Sequence, residues 1–403
     1  MYLETMDDPL GVLAAAGIEA YESSFTALDA YLGIRPSPLR FAVVGCELQD
    51  LAARFEGLRY PGTYYADAAV DDPQATSRQS PQGTRTDAAG AGELCILCVD
   101  SPKAAEAAAF APLDLLRDPR RDVFLDPKGV YPSLRLGETE PRRTNAERAL
   151  FETAVLVSRY PYEIAGGGTP VAPRDFSLGA QRQLLALMLT GPTPERGLEM
   201  LKESGFVDAY WPELAELAGL DQSKEFHPEG DAWAHTLETF RYRKLPALGL
   251  SLALLLHDVG KPRAEESEGR KFDRHAEIGR SVAERFLGRL GFAPDLIGDV
   301  SFLVRYHMMP AALPRLPPNR VEGIIDDPRF PILLELYKCD ELSTFRGPDG
   351  YYEACAAYKA YLRNSRNPWR GSDGKKLARM YLEEGRPSGG TIPPRPRRPG
   401  PRK

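Results

Sequence analysis

The segment from Leu245 to Leu256, LPALGLSLALLL, followed directly by His257-Asp258, constrains this chain more than any other. A helix that is apolar on every side has no solvent face, so it must lie inside a packed domain. It is too short to span a bilayer and reads as a buried helix. Its end then carries an imidazole and a carboxylate into a core or cleft. A buried carboxylate needs a positive partner, and a divalent metal ion is an economical one. Gly260 is the expected C-cap residue and Pro262 the stop signal.

The other histidines sharpen that expectation. All five, His227, His235, His257, His275 and His307, fall in one 81-residue window of a 403-residue chain. A single histidine is more often a hydrogen-bonded core or surface residue. The cluster, together with the buried His-Asp pair, outweighs that reading. DLIGDVSFLVRYHMMP places His307 on an inward stripe with Ile297, Val300, Leu303 and Val304. FPILLELYKCDELSTF places Asp340 in line with Leu333, Leu336 and Tyr337, where an aspartate is unusual unless paired. Imidazole and carboxylate donors suit borderline or hard divalent ions.

The length allows two or three domains. MYLETMDDPL lacks the basic and apolar regions of a signal peptide, and the expected location is the cytoplasm. The five cysteines are too sparse for a disulfide framework. Cys95 and Cys98 form a CxxC on a strand-like segment, where residues three apart point to opposite faces, so they read as core cysteines. Net charge is −6, yet the residues from Arg386 onward carry six basic groups and no acidic one, leaving −12 on the body. That balance argues against nucleic-acid binding by bulk charge.

Local signals divide the chain into two parts. Pro38–Cys46, ELCILCVD and DVFLD read as strands, and Leu48–Phe55 as a helix. Asp71–Glu93 reads as a long loop. From Asn145 strand signals fade, and NAERALFETAVLVSRY, AQRQLLALML, PERGLEMLKESG and PELAELAG carry helical periods. The expected fold class is α+β: a small α/β head, then a long all-helical body.

Histidine, then His-Asp, then a distant Asp is the pattern of the HD superfamily of metal-dependent phosphohydrolases, which His235, His257-Asp258 and Asp340 resemble in order. By that resemblance these four hold a divalent ion. His275 and His307 match histidines that bind a second ion in some members; alternatively they orient the phosphate. Asp258 and Lys261 are the expected catalytic groups, Lys261 by neutralising charge on the phosphate. The alternative for Lys261 is an exposed lysine at a helix end. The number of ions, one or two, and their identity among Mg, Mn, Ni, Co, Fe and Zn stay open.

Gly197–Phe240 and Phe110–Gly129 extend the resemblance to bacterial tRNA nucleotidyltransferases of the type carrying an HD domain, from about Arg40 to Glu384. It implies a nucleotidyltransferase-like head (1–140), a helical neck (141–220), an HD domain (221–345), a C-terminal helical segment (346–387) and a basic, Pro-rich, disordered tail (388–403). In that family some HD domains remove 2′,3′-cyclic and other phosphates from nucleotides and RNA ends.

The head departs from the family pattern. Nucleotidyl transfer needs a Gly-Gly turn at the triphosphate and an Asp-x-Asp pair on two magnesium ions. Here Gly45-Cys46-Glu47-Leu48-Gln49-Asp50 stands for Gly-Gly and Val-Arg-Asp, and Asp67-Ala68-Ala69 for the metal pair; Asp71 or Asp72 could restore a carboxylate in another alignment. Thr144-Asn145-Ala146-Glu147-Arg148 stands for Glu-Asp-x-x-Arg, so Arg148 remains while the acid is amidated. Ala107-Ala108-Ala109-Phe110 replaces an arginine-rich segment. Gly45, Asp50, Asp67 and Arg148 are therefore expected to be vestigial.

The expected function is a metal-dependent phosphohydrolase acting on nucleotide or RNA-end phosphate esters, with an inactive head. The expected partner is a nucleotide or RNA 3′-end, including tRNA, with no membrane association and no obligate protein partner. The alternatives are an active CCA-adding enzyme and a noncatalytic RNA-binding or regulatory protein.

Overall fold

The apolar segments of the first third pair into one six-stranded sheet. In this computed structural model, which describes residues 8–72, 92–166, 168–220, 230–264, 272, 274–344 and 347–365, the strands are β1 (Ala20–Ser23), β2 (Leu39–Val44), β3 (Ala68–Asp71), β4 (Glu93–Cys98), β5 (Leu116–Asp118) and β6 (Val123–Leu125). Their spatial order is β3-β4-β2-β1-β5-β6. β2 and β4 run parallel, with Leu39 beside Glu93 and Val44 beside Cys98, and the remaining neighbours are antiparallel. β2 is buried at every residue, which is why it reads as a continuous apolar run rather than an alternating one.

The two faces of the sheet serve different cores. On one, Ala42, Val44, Leu94 and Ile96 pack with Leu10 and Leu13 of α1 (Pro9–Ala15). On the other, Phe41 and Cys95 join Phe25 and Leu28 of α2 (Ser24–Leu32) in a core that continues through the helical body. Cys95 and Cys98 accordingly face opposite sides: Cys95 is fully buried and accepts from Gln183 Nε2 at 3.5 Å, while Cys98 is partly buried.

Three expectations need correction here. The helix after β2, α3 (Leu48–Ala52), stops short of Phe55. Asp71 and Glu93, assigned by composition to the loop, are strand residues that face one another across the β3–β4 ladder, with Arg59 pairing to both at 2.8 and 3.0 Å; residues 73–91 lie outside the described residues. Strand structure also does not end at Asn145. β7 (Glu138–Thr139) and β8 (Glu163–Ile164) form a parallel pair, too short to show a periodic signal.

Three helices carry the chain from the sheet to the body: α4 (Ala146–Arg159), α5 (Leu178–Leu189) and α6 (Pro194–Glu203). Asn145 caps α4, its side chain accepting from Arg148 N at 2.7 Å. A Cβ at Gly197 of α6 would lie 1.9 Å from Ser158 Oγ and 2.8 Å from Ala154 O, so glycine permits the close approach of α4 and α6.

The remaining body consists mainly of α7 (Ala232–Thr239), α8 (Leu248–Leu256), α9 (His275–Arg289), α10 (Pro294–Tyr306), α11 (Phe330–Leu342) and α12 (Asp349–Ser365). The fold is thus α+β, with a small sheet-containing head and a helical body. The tail 388–403 lies outside the described residues, as does the segment after Ser365. Among the described residues no helix is long and apolar enough to cross a membrane.

Candidate metal centre

The apolar helix delivers its terminal pair into the core as its composition requires. α8 begins at Leu248, three residues later than expected, with Leu245 left exposed, and its seven residues from Leu250 to Leu256 are buried. His257 is the C-cap residue, and the chain then turns tightly, Lys261 N donating to Asp258 O at 2.9 Å. Gly260 is therefore not the left-handed C-cap that the sequence predicts; its φ is −85°. Its missing side chain matters for packing instead. A Cβ there would stand 2.0 Å from His275 O and 2.5 Å from Gly279 N. Two glycines in contact let the start of α9 press against this turn, and that contact brings His275 beside Asp258.

Four helix ends and faces converge on the pair. α7 supplies His235, α9 begins with His275, α10 ends at His307, and α11 carries Asp340. His235, His257, Asp258 and His307 are each at most 2% exposed. His257 Nε2 lies 3.3 Å from Asp258 Oδ2 and 3.9 Å from Asp340 Oδ1. His235 Nε2 lies 3.0 Å from Asp340 Oδ1 and 4.0 Å from Asp258 Oδ2. On the other side, His275 Nε2 is 3.8 Å from Asp258 Oδ1 and 3.1 Å from His307 Nε2. Two triads result, His235-His257-Asp258 and Asp258-His275-His307, each with its donor atoms within 4.8 Å of one another. Asp258 belongs to both.

The remaining ring nitrogens set the direction of the imidazoles. Nδ1 of His257, His275 and His307 donates to the carbonyls of Leu254, Phe272 and Val304 at 2.8, 2.9 and 2.7 Å. In each case the acceptor is three residues earlier, so the local helix or turn holds the ring. Ser343 Oγ donates to Asp340 O at 2.6 Å and lies 3.2 Å from His235 Nδ1, within hydrogen-bond distance. In the neutral rings the Nε2 lone pairs of His257, His275 and His307 therefore point inward, whereas His235 Nε2 donates to Asp340 Oδ1 at 3.0 Å. His257 Nε2, though buried, has no hydrogen-bond partner among the described residues. A buried lone pair without a donor, set beside carboxylate oxygens, is the donor set a cation would satisfy.

The electrostatics agree with that reading. Burial alone would raise the Asp258 carboxyl, but the charges of His257 and Lys261 outweigh it and hold it well below the ordinary carboxylate range. Asp340 is likewise raised by burial and lowered further by its hydrogen bond to His235 and the charge of His257, with a net fall. Burial pushes His307 down to about 3, helped by His275 and His257. Burial also lowers His275, against the pull of Asp258. These two imidazoles are thus neutral at pH 7.

Lys261 is not an exposed helix-end residue. It sits in a 3-10 turn with its side chain 11% exposed, and its Nζ lies 2.7 Å from Asp258 Oδ2. Before His275, Phe272 and Arg274 both adopt left-handed backbone, φ 58° and 57°. Such geometry costs of order 1–3 kcal/mol per residue, and here it aims the Phe272 carbonyl at His275. The sequence offers no signal for this pair of strained residues. His227 lies outside the described residues.

The head positions are engaged elsewhere. Gly45 N donates to Glu19 O at 2.8 Å, and a Cβ on Gly45 would lie 3.2 Å from Pro102 Cδ. Asp50 caps α3, accepting from Glu47 N at 3.3 Å. Asp67 Oδ2 accepts from Cys98 N at 2.8 Å. Asp71 pairs with Arg59, and buried Asp72 lies 3.4 Å from Arg40. Arg148 donates to Glu152 at 2.7 Å, and Glu152 also takes Tyr65 Oη at 2.5 Å and Phe110 N at 3.1 Å. The cavity that Arg148 borders has a volume of about 60 Å³, against roughly 300–1,000 Å³ for typical ligand pockets. Among the described residues of the head, no three metal-ligating side chains come together.

A buried His-Asp cluster with one carboxylate common to two triads, carried on a helical bundle, defines an HD-type domain, and residues 233–327 match the HD domain family. The chain is also homologous to CCA-adding tRNA nucleotidyltransferases. It is 32% identical over 250 residues to the CC-adding tRNA nucleotidyltransferase of Thermus thermophilus, covering 59% of this chain and 53% of that one. It is 34% identical over 210 residues to the multifunctional CCA protein of Halorhodospira halophila, covering 50% and 49%. The chain thus spans about half the length of these curated relatives. The Bacillus stearothermophilus CCA-adding enzyme in complex with CTP aligns over 94% of this chain and 87% of its own, at 16% identity and a TM-score of 0.47.

Proposed function

We propose that this chain hydrolyses phosphate esters of nucleotides or RNA ends at a divalent-metal centre held by His235, His257, Asp258, Asp340, His275 and His307. The observation that carries the reading is the convergence of four Nε2 atoms on the single buried carboxylate of Asp258. A divalent ion bound there would supply Lewis-acid stabilisation and an activated water. Asp258, common to both triads, suits two ions better than one, and an imidazole-rich set favours borderline ions such as Mn, Fe, Co, Ni or Zn over Mg. The carbonyls of Leu254, Phe272 and Val304 keep the imidazoles oriented and in one tautomer. Lys261 brings positive charge beside Asp258, where charge develops on a bound phosphate.

The test is the metal-loaded protein against 2′,3′-cyclic nucleotides, nucleoside monophosphates and RNAs with a 3′-terminal phosphate. Hydrolysis that disappears in Asp258→Asn, with fold retained by circular dichroism, is the expected result. Hydrolysis undiminished in that variant would refute the assignment.

A second reading, nucleotide addition to tRNA by the head, is favoured by the names of the two curated relatives. Against it stand Ala68-Ala69 after Asp67, the small cavity at Arg148 and the capture of Arg148 by Glu152. Incorporation of labelled CTP or ATP into tRNA separates the two.

A further inference from the structure

Beyond the metal centre, the segment after α7 and the α5–α6 turn enclose a cleft of about 580 Å³ against the end of α2. Among the described residues four cations line it, Arg35, Arg241, Arg243 and Lys244, with Glu195 as the one carboxylate. In a chain of net charge −6 this is a local inversion of sign.

Arg243 gives the cleft its chemistry. Its guanidinium donates to Leu189 O and Ser251 Oγ, each at 2.5 Å, and to Gly191 O. Every one of these acceptors is neutral. The group also packs on the Phe240 ring, 5.5 Å from its centroid. Burial pushes its pKa down to about 10, with only partial relief from Glu195. Burial in turn raises the Glu195 carboxyl, whose Oε2 is buried with no hydrogen-bond partner among the described residues. A cation removed from water costs several kcal/mol unless an anion compensates it. Lys244 and Arg241 stand at the exposed rim, Arg241 paired with Glu238 at 2.8 Å.

We propose that this cleft binds a compact, multiply charged phosphate group, of the size of a di- or triphosphate, with Arg243 at its floor and Arg241 and Lys244 at its rim. Guanidinium groups match phosphate oxygens in fork geometry, and several cations in one cleft favour a polyanion over a single carboxylate. The cleft is separate from the metal centre. Ser251, which Arg243 holds, precedes His257 by six residues on α8, about 9 Å along the helix axis. The phosphate can come from a free polyphosphate moiety or from the backbone of a short single strand.

Calorimetric titration of the full chain in EDTA tests this, with inorganic tripolyphosphate in one arm and a 2′-O-methyl tetranucleotide in the other. Binding of tripolyphosphate identifies a free polyphosphate moiety as ligand, and binding of the tetranucleotide alone identifies a strand backbone. In either case Arg241→Glu/Lys244→Glu, a change at exposed side chains, should weaken binding about tenfold or more. The affinity should also fall as salt rises. The metal-site variant His257→Ala/Asp258→Ala should bind as the parent does, so that failure of the hydrolase reading leaves this result interpretable. Absence of binding in both arms, or affinity unchanged by Arg241→Glu/Lys244→Glu, would overturn the proposal.

Discussion

His275 and His307 face one another through their Nε2 atoms at 3.1 Å, while each Nδ1 donates to a main-chain carbonyl. Two neutral rings so held set lone pair against lone pair, and a shared cation relieves that opposition. The variant His275→Ala/His307→Ala should therefore lose half of the bound metal, measured by elemental analysis of the purified protein. Unchanged metal content would assign both rings to the phosphate, and complete loss would place them with His235 and His257 in a single coordination shell.

The second prediction concerns the primary ligands. His257→Ala/Asp258→Ala removes a member of each triad, and the protein should then bind no divalent ion. Full occupancy in that variant would refute the ligand set. Asp340 stands 3.9 Å from His257 in space despite its distance in sequence, so Asp340→Ala should weaken metal binding, by about tenfold to a hundredfold.

Stability of the metal-free protein should depend on pH in a defined direction. An unfolded histidine takes up a proton near pH 6.5, whereas folded His307 does so only near 3. Between those values the unfolded chain binds more protons, so stability falls as pH drops from 6.5 toward 3. The slope is up to about 1.4 kcal/mol per pH unit for one such group. His275, lowered by burial, acts in the same direction. Asp258 and Asp340, held below the ordinary carboxylate range, add their loss only below about pH 4. Urea denaturation of the apoprotein at pH 7 and pH 5 measures the slope, which His307→Phe should flatten. A parent slope of zero over that interval would contradict the burial argument.

Gly260→Ala is expected to destabilise the protein by about 1–3 kcal/mol or more, because its Cβ would fall 2.0 Å from a main-chain oxygen. The shift of α9 should also displace His275, lowering metal content. Wild-type stability in this variant, by urea denaturation, would show that the turn relaxes without moving α9.

The head should not add nucleotides to tRNA. Robust CTP incorporation that disappears on Asp67→Ala would reverse this expectation. In the same region Glu152→Ala should cost about 3–5 kcal/mol, since it removes the buried partner of the Arg148 guanidinium and leaves only the exposed Glu106 at 3.7 Å.

Much of this molecule was legible locally. β2 and β4 show as apolar runs, α4 to α6 as helical periods, and α8 as a segment with no polar face, because each reports the burial of its own residues. The His-Asp pattern likewise follows from residue types and order. Other features depend on partners far away in the chain. Neither β7 nor β8 is long enough to signal itself, and each exists through the other. Gly260 looked like a helix cap; the passage of α9 explains it instead. Lys261 could have been a solvated helix-end lysine, yet the tight turn places it on Asp258. The inward direction of the four Nε2 atoms comes from carbonyls and a serine that packing brings to the Nδ1 side. What the sequence by itself determined was which residues are buried and which side chains are available as donors, since hydrophobicity and period are local. Only the tertiary structure decided which donors share a carboxylate and which cations have one, because those are distances between elements that meet solely on folding.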